Sequence, residues 1–195
     1  MKALVRLCLL LLGSTLLPVG AHAVSLSLVP ATITASGAFS VDLVVAGLGG
    51  SGPPSLGAFD VKIGFDSSFL DFTGASFGAV LGAVPLEAIA GTTTGIGLVD
   101  VAEISLLAPA ALDALQSADS FTLATLSFDV LPGPVTSGTL GFGATTLSDA
   151  FGTALAVTSA TGATVSISPA VPEPAAFVVF AVGFAIASRA RRGAR

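Results

Sequence analysis

The nine residues Ala58-Phe59-Asp60-Val61-Lys62-Ile63-Gly64-Phe65-Asp66 alternate between apolar and polar or small residues without a slip. A period of two marks a strand with one face buried and the other in water. Phe59, Val61, Ile63 and Phe65 therefore point inward, and Asp60, Lys62, Gly64 and Asp66 outward. Asp66-Ser67-Ser68 supplies a turn, after which Leu70 and Phe72 resume the alternation around Asp71. Upstream, Phe39, Val41, Leu43 and Val45 alternate with Ser40, Asp42 and Val44 across Ala38–Ala46. Further strands are expected at Ile96–Leu106, Phe121–Leu131, Thr139–Leu147, Ala154–Ser159 and Thr164–Ser168. In Phe121–Leu131 the inward phase slips from Phe121 and Leu123 to Leu126, Phe128 and Val130, which predicts a bulge near Ala124-Thr125. One helix is expected, Pro109–Ala118, with Pro109 at its first position and Leu112 and Leu115 on one face. Gly49–Pro54 reads as the most flexible loop and Gly91–Gly97 as the next. Many short strands separated by Gly, Pro and Ser turns predict an all-β fold, an antiparallel sandwich of two sheets.

The two ends of the chain have a different character. Lys2 and Arg6, the apolar run Leu7–Leu17, the helix breaker Pro18 and the small-residue site Ala21-His22-Ala23 form a Sec signal peptide, residues 1–23, with cleavage expected after Ala23. Cys8 stands at the start of the apolar run rather than at its end, so it is not placed for lipidation. At the other end Pro172-Glu173-Pro174 forbids a helix upstream. Thirteen uncharged residues follow, Ala175–Ala187, and then Arg189, Arg191, Arg192 and Arg195. As a helix the apolar run is about 20 Å long against roughly 30 Å of bilayer hydrocarbon. The arginines lengthen its reach by snorkelling and fix that end on the cytoplasmic side.

This ordered tail, residues 169–195, resembles the PEP-CTERM sorting signal of exopolysaccharide-producing Gram-negative bacteria. The resemblance implies recognition by an exosortase, transient anchoring in the inner membrane, cleavage near Pro172-Glu173-Pro174, and delivery to the cell surface or the extracellular matrix.

Cys8 and His22 are the sole cysteine and histidine, and the chain has no Trp or Tyr. With the leader gone, Ser–His–Asp and Cys–His catalysis lose their base, zinc and copper lose their ligands, and no disulfide can form. The body, residues 24–168, carries eleven acidic residues and one base, Lys62, for a net charge of −10. Nucleic-acid binding, which requires clustered Lys and Arg, is excluded. About 145 residues suffice for a single core without crosslinks.

The body also resembles cohesin-like domains. Val24–Pro30, Phe39–Ala46 and above all Leu56–Phe72 are similar to the early strands of that family, and Phe121–Val130 to a later one. The resemblance implies a nine-stranded jelly-roll sandwich related to certain carbohydrate-binding modules, with a recognition role. No dockerin repeat is present in the chain.

Oxygen ligands are the kind the mature chain offers, so calcium is the cofactor its chemistry would admit, with Asp66, Asp71, Asp100, Glu103 and Asp129 as candidate ligands. No Asp-x-Asp-x-Asp-Gly loop is present. Asp66 with Asp71, or Asp100 with Glu103, are the carboxylate pairs from which glycoside hydrolysis would be drawn. No catalytic residue is assigned. The expectation is a non-enzymatic surface or matrix protein that recognises another protein or the exopolysaccharide. The alternative is a carbohydrate-active hydrolytic domain delivered by the same route.

Overall fold

The alternating stretch becomes β4 (Leu56–Gly64), and the rest of the sandwich is arranged about it. The computed structural model describes residues 23–49 and 54–167. Residues 1–22 of the expected signal peptide, Pro172-Glu173-Pro174 and the arginine-rich end lie outside the described residues, as does most of the Gly49–Pro54 loop. Phe59, Val61 and Ile63 of β4 are buried, while Asp60 is exposed and Lys62 half-buried. The remaining strands are β1 (Val24–Val29), β2 (Thr32–Ala35), β3 (Phe39–Ala46), β5 (Leu70–Phe77), β6 (Ala88–Gly95), β7 (Leu98–Ser105), β8 (Ser120–Val130), β9 (Ser137–Asp149), β10 (Ala154–Leu155), β11 (Val157–Thr161) and β12 (Ala163–Ile167), with, among the described residues, one helix, α1 (Pro109–Leu115).

The smaller sheet runs β11-β1-β3-β8-β5. The larger runs β2-β12-β9-β4-β7-β6, with β10 pairing β9. Pairing is antiparallel except where β1 meets β11 and β2 meets β12. Those two parallel contacts have one cause. The chain crosses from the smaller sheet to the larger between β1 and β2, and again between β11 and β12, so its first and last strands run side by side along a rim. Among the described residues twelve strand segments stand where the resemblance implied nine.

Phe128 joins the layers. Fully buried on β8, it stacks on Phe39 of β3 at 5.6 Å between ring centres and meets Phe72 of β5 edge-on at 5.4 Å. Phe65, immediately after β4 and so from the opposing sheet, approaches its other side edge-on, also at 5.4 Å. Edge-to-face rings align the positive rim of one with the negative face of the next, which adds to their area burial.

Several local expectations are corrected. Gly91–Gly97, expected as a loop, is the second half of β6 and its turn into β7. It shows no alternation because β6 is the edge strand of its sheet and residues 91–95 are exposed on both faces, although Val99 and Val101 opposite them on β7 are buried. Ile96 is not in a strand but at the tip of this turn, 97% exposed, beside Gly97, whose φ of +64° suits glycine. The bulge expected in β8 near Ala124-Thr125 is present, at Leu123: Leu43 faces Ala124 and Val44 faces Thr122, which leaves Leu123 and Ala124 both buried. Ala154–Ser159 is divided between β10 and β11. The helix ends at Leu115, and of its two leucines only Leu112 is buried.

Gln116, directly after the helix, holds α1 to β4. Its Oε1 accepts from the Leu56 N–H at 2.6 Å, and its Nε2 donates to the carbonyls of Leu56 at 2.8 Å and Val80 at 3.2 Å.

Candidate recognition face

Strand alternation that buries Phe59, Val61 and Ile63 presents Ala58, Asp60 and Lys62 on the outer face of the larger sheet. The register sets their neighbours. Ala58 lies between Ile104 and Ser148, with Ile89 beyond Ile104. Asp60 lies between Ala102 and Thr146, with Gly91 beyond Ala102. Lys62 faces Asp100, beyond which stands Thr93. The first two rows enclose an open depression of about 350 Å³, lined by Ala58, Asp60, Ile89, Gly91, Ala102 and Ile104 among others. Its surface is almost wholly apolar. Ile89 and Ile104 are 58% and 50% exposed, unusual for isoleucines facing each other on an outer sheet surface.

The third row carries charge. Lys62 Nζ donates to Asp100 Oδ2, and Asp60 Oδ1 lies 3.8 Å from the same ammonium. The hydrogen bond to Asp100 raises the lysine above its ordinary value. Asp60 is also raised, first by desolvation and then by its hydrogen bond with, and repulsion from, Asp100; the nearby Lys62 opposes this. Asp100 Oδ1 is buried without a hydrogen-bond partner. The body's one cation is thus spent on this face, where it partly neutralises two carboxylates.

The other candidate residues are dispersed. Asp66 sits in the turn after β4, where its Oδ1 accepts from the Ser68 N–H at 2.9 Å and the Ser68 hydroxyl at 2.7 Å. Those two bonds hold its carboxyl below the usual range. It lines a second, more polar depression of about 520 Å³ as that hollow's only charged residue. Asp71 and Asp129 face each other across β5 and β8 in the smaller sheet. Asp100 and Glu103 are three apart on β7 and so point to opposite faces, Asp100 outward and Glu103 in phase with the buried Val99 and Val101. They cannot flank one bond in one cleft. Among the described residues no three His, Cys, Asp or Glu side chains gather where they could hold a metal ion.

Glu103 is only 2% exposed, and neither carboxylate oxygen has a hydrogen-bond partner. Desolvation pushes its carboxyl up to about 7.

Sequence reasoning missed Ile89 and Ile104 as surface residues. A signal was available: in Val99-Asp100-Val101-Ala102-Glu103-Ile104 the phase set by the valines puts the acid inside and the isoleucine outside. Ile89 had no such signal, because its strand was not recognised.

The class these layers and this connectivity define is the cohesin fold. The sixth cohesin of scaffoldin B from Acetivibrio cellulolyticus, solved in complex with a Cel5 dockerin, superposes with a TM-score of 0.58 at 14% identity, covering 75% of this chain and 99% of that one. The cohesin CaCohA2 from Clostridium acetobutylicum gives 0.61 at 14% identity, covering 78% and 95%. A non-cellulosomal cohesin from the hyperthermophilic archaeon Archaeoglobus fulgidus gives 0.54 at 12%, covering 74% and 91%. At such identities the likeness is one of fold. No protein-family model and no curated protein matches the chain.

Proposed function

We propose that this is an exported surface or extracellular-matrix protein, sorted by an exosortase, whose non-catalytic sandwich binds a partner protein through the outer face of β4, β6, β7 and β9. The observation that carries this reading is the apolar depression between Ile89 and Ile104 beside the Lys62–Asp100 pair. Exposed aliphatic side chains next to a paired charge suit a protein surface with an apolar anchor and a polar rim. A sugar ring is usually met by Trp or Tyr, and this face has no aromatic side chain, since Phe59 points into the core. Protein is therefore favoured over exopolysaccharide. Solved cohesins in complex with dockerins support the same kind of partner. The signal peptide and the Pro172-Glu173-Pro174 tail support the route.

A photo-reactive residue placed at Ile104, with a control at Ser40 on the outside of the smaller sheet, tests the face in the native host. The expected result is a discrete protein adduct from position 104 that Ile89→Asp abolishes. Equal adducts from both positions, or none from position 104, would overturn the assignment. Intact mass and cell fraction with and without the exosortase test the route: a tail retained in the inner membrane in both cases would refute sorting.

A further inference from the structure

A sheet that ends on a strand leaves alternate backbone N–H and C=O groups of that strand without partners, and folded proteins usually blunt such an edge. Three of the four edges here are blunted. β2 has four residues, β5 has a bulge between Phe72 and Gly74 and carries Asp71, and β11 has five residues and packs along β9. β6 is different. Its eight residues, Ala-Ile-Ala-Gly-Thr-Thr-Thr-Gly, pair with β7 in unbroken register, contain no charge, proline or bulge, and have no partner on the other side among the described residues. Glu87, the acid nearest in sequence, is turned away, accepting from the Ala83 N–H at 2.9 Å.

We propose that the free edge of β6 pairs antiparallel with β6 of a second copy, joining two larger sheets into one across a two-fold axis. A strand antiparallel to itself offers the same donors and acceptors from both sides, so complementarity follows from symmetry. Charge permits the place: with a net charge of −10 on each body, two copies can approach closely only where neither presents a carboxylate, and residues 88–98 are uncharged; the β2 and β11 edges are uncharged as well, so it is the length and unbroken register of β6 that single it out. The side chains agree, because Thr92, Thr93 and Thr94 would meet threonines or small residues of the copy, and Thr–Thr pairs are favourable across strands. The two-fold stands perpendicular to the sheet, so both outer faces look the same way. The inference does not depend on what that face binds.

The test uses the full chain with Cys8→Ser, single cysteines at each position from Ile89 to Gly95, and two tagged versions mixed before mild oxidation. Antiparallel self-pairing predicts inter-copy disulfides between positions whose numbers add to one constant sum, about tenfold more efficient than other pairs, because only directly opposed Cβ atoms come close enough to bridge. Cysteines at Thr73 on the β5 edge and Ser159 on β11 should remain unlinked. Thr93→Lys, at a position directly opposite Asp100 of β7 and so with a counter-charge within its own fold, should abolish the cross-links at unchanged melting temperature. Linking without a constant sum, linking equal to that of the β5 and β11 controls, or no linking at all would overturn the proposal.

Discussion

Glu103 occupies a core position with nothing to bind its charge. Its neighbours in register are Phe59 on one side and Ala90 on the other, and it is only 2% exposed. The ionised form is therefore penalised in the folded state, and the carboxyl moves from 4.5 to about 7. Because the folded value lies above the unfolded one, the native state binds the extra proton between these values, and stability falls as pH rises through that window. Below it the residue costs little. Above about 7 the penalty is complete, on the order of 3 kcal/mol. Glu103→Gln should flatten this dependence: urea unfolding at pH 5 and pH 8 should show the variant gaining relative to the parent at the higher pH. An equal difference at both pH values would mean that the acid is hydrated in solution. The position was legible in sequence, since Val99 and Val101 set its phase. Its solitude was not, because which partners reach a buried acid depends on the facing strands.

At the scale of elements, α1 is held to the sheet by one amide. Its single buried leucine, Leu112, gives a short helix little apolar anchorage, and Gln116 adds three hydrogen bonds to the backbone of Leu56 and Val80. Removing them leaves buried backbone groups unpaired. Gln116→Ala should therefore cost about 2–3 kcal/mol in unfolding free energy, whereas Leu115→Ala, at a residue 47% exposed, should stay within about 0.5 kcal/mol. If the two variants were equally mild, the amide would not be the anchor. The next contact along β4 is steric. Gly57 sits at a register shift against β9, and a Cβ there would stand 2.4 Å from the Asp149 carbonyl oxygen, a backbone atom that cannot swing aside. Gly57→Ala should destabilise by more than Gly74→Ala in β5, where the corresponding space is empty; denaturation of both variants checks it. Periodicity located β3, β4, β7, β8 and β9 because each has one face in the core. It failed at β6, whose second half has no buried face to impose a period, and it could not foresee Gln116, because side-chain bonds to distant backbone leave no trace in local pattern.

Across the whole molecule, the layers are joined by apolar contact and the surface is dominated by one sign of charge. Phe128 touches rings from both sheets, so Phe128→Ala should cost about 3–5 kcal/mol and lower the cooperative transition as a whole rather than loosen one edge. The composition already announced the electrostatic half of this balance: eleven carboxylates in the body and one ammonium. The fold adds that the ammonium is committed to Asp100 and Asp60, so among the described residues none is left to offset the remaining acids. Two electrostatic effects then respond to salt in opposite senses. Screening weakens the Lys62 pair, which is half-exposed and worth little, and it relieves the mutual repulsion of the other carboxylates, which is spread over the entire surface. The second effect should win. Raising sodium chloride from about 10 mM to about 150 mM, which shortens the screening length to about 8 Å, should stabilise the sandwich by about 1 kcal/mol, seen as a rise of roughly 2–4 °C in the unfolding midpoint at neutral pH. Lys62→Met should enlarge that rise by removing the one attraction that salt weakens, whereas a midpoint that falls with salt would show that the single pair outweighs the net charge.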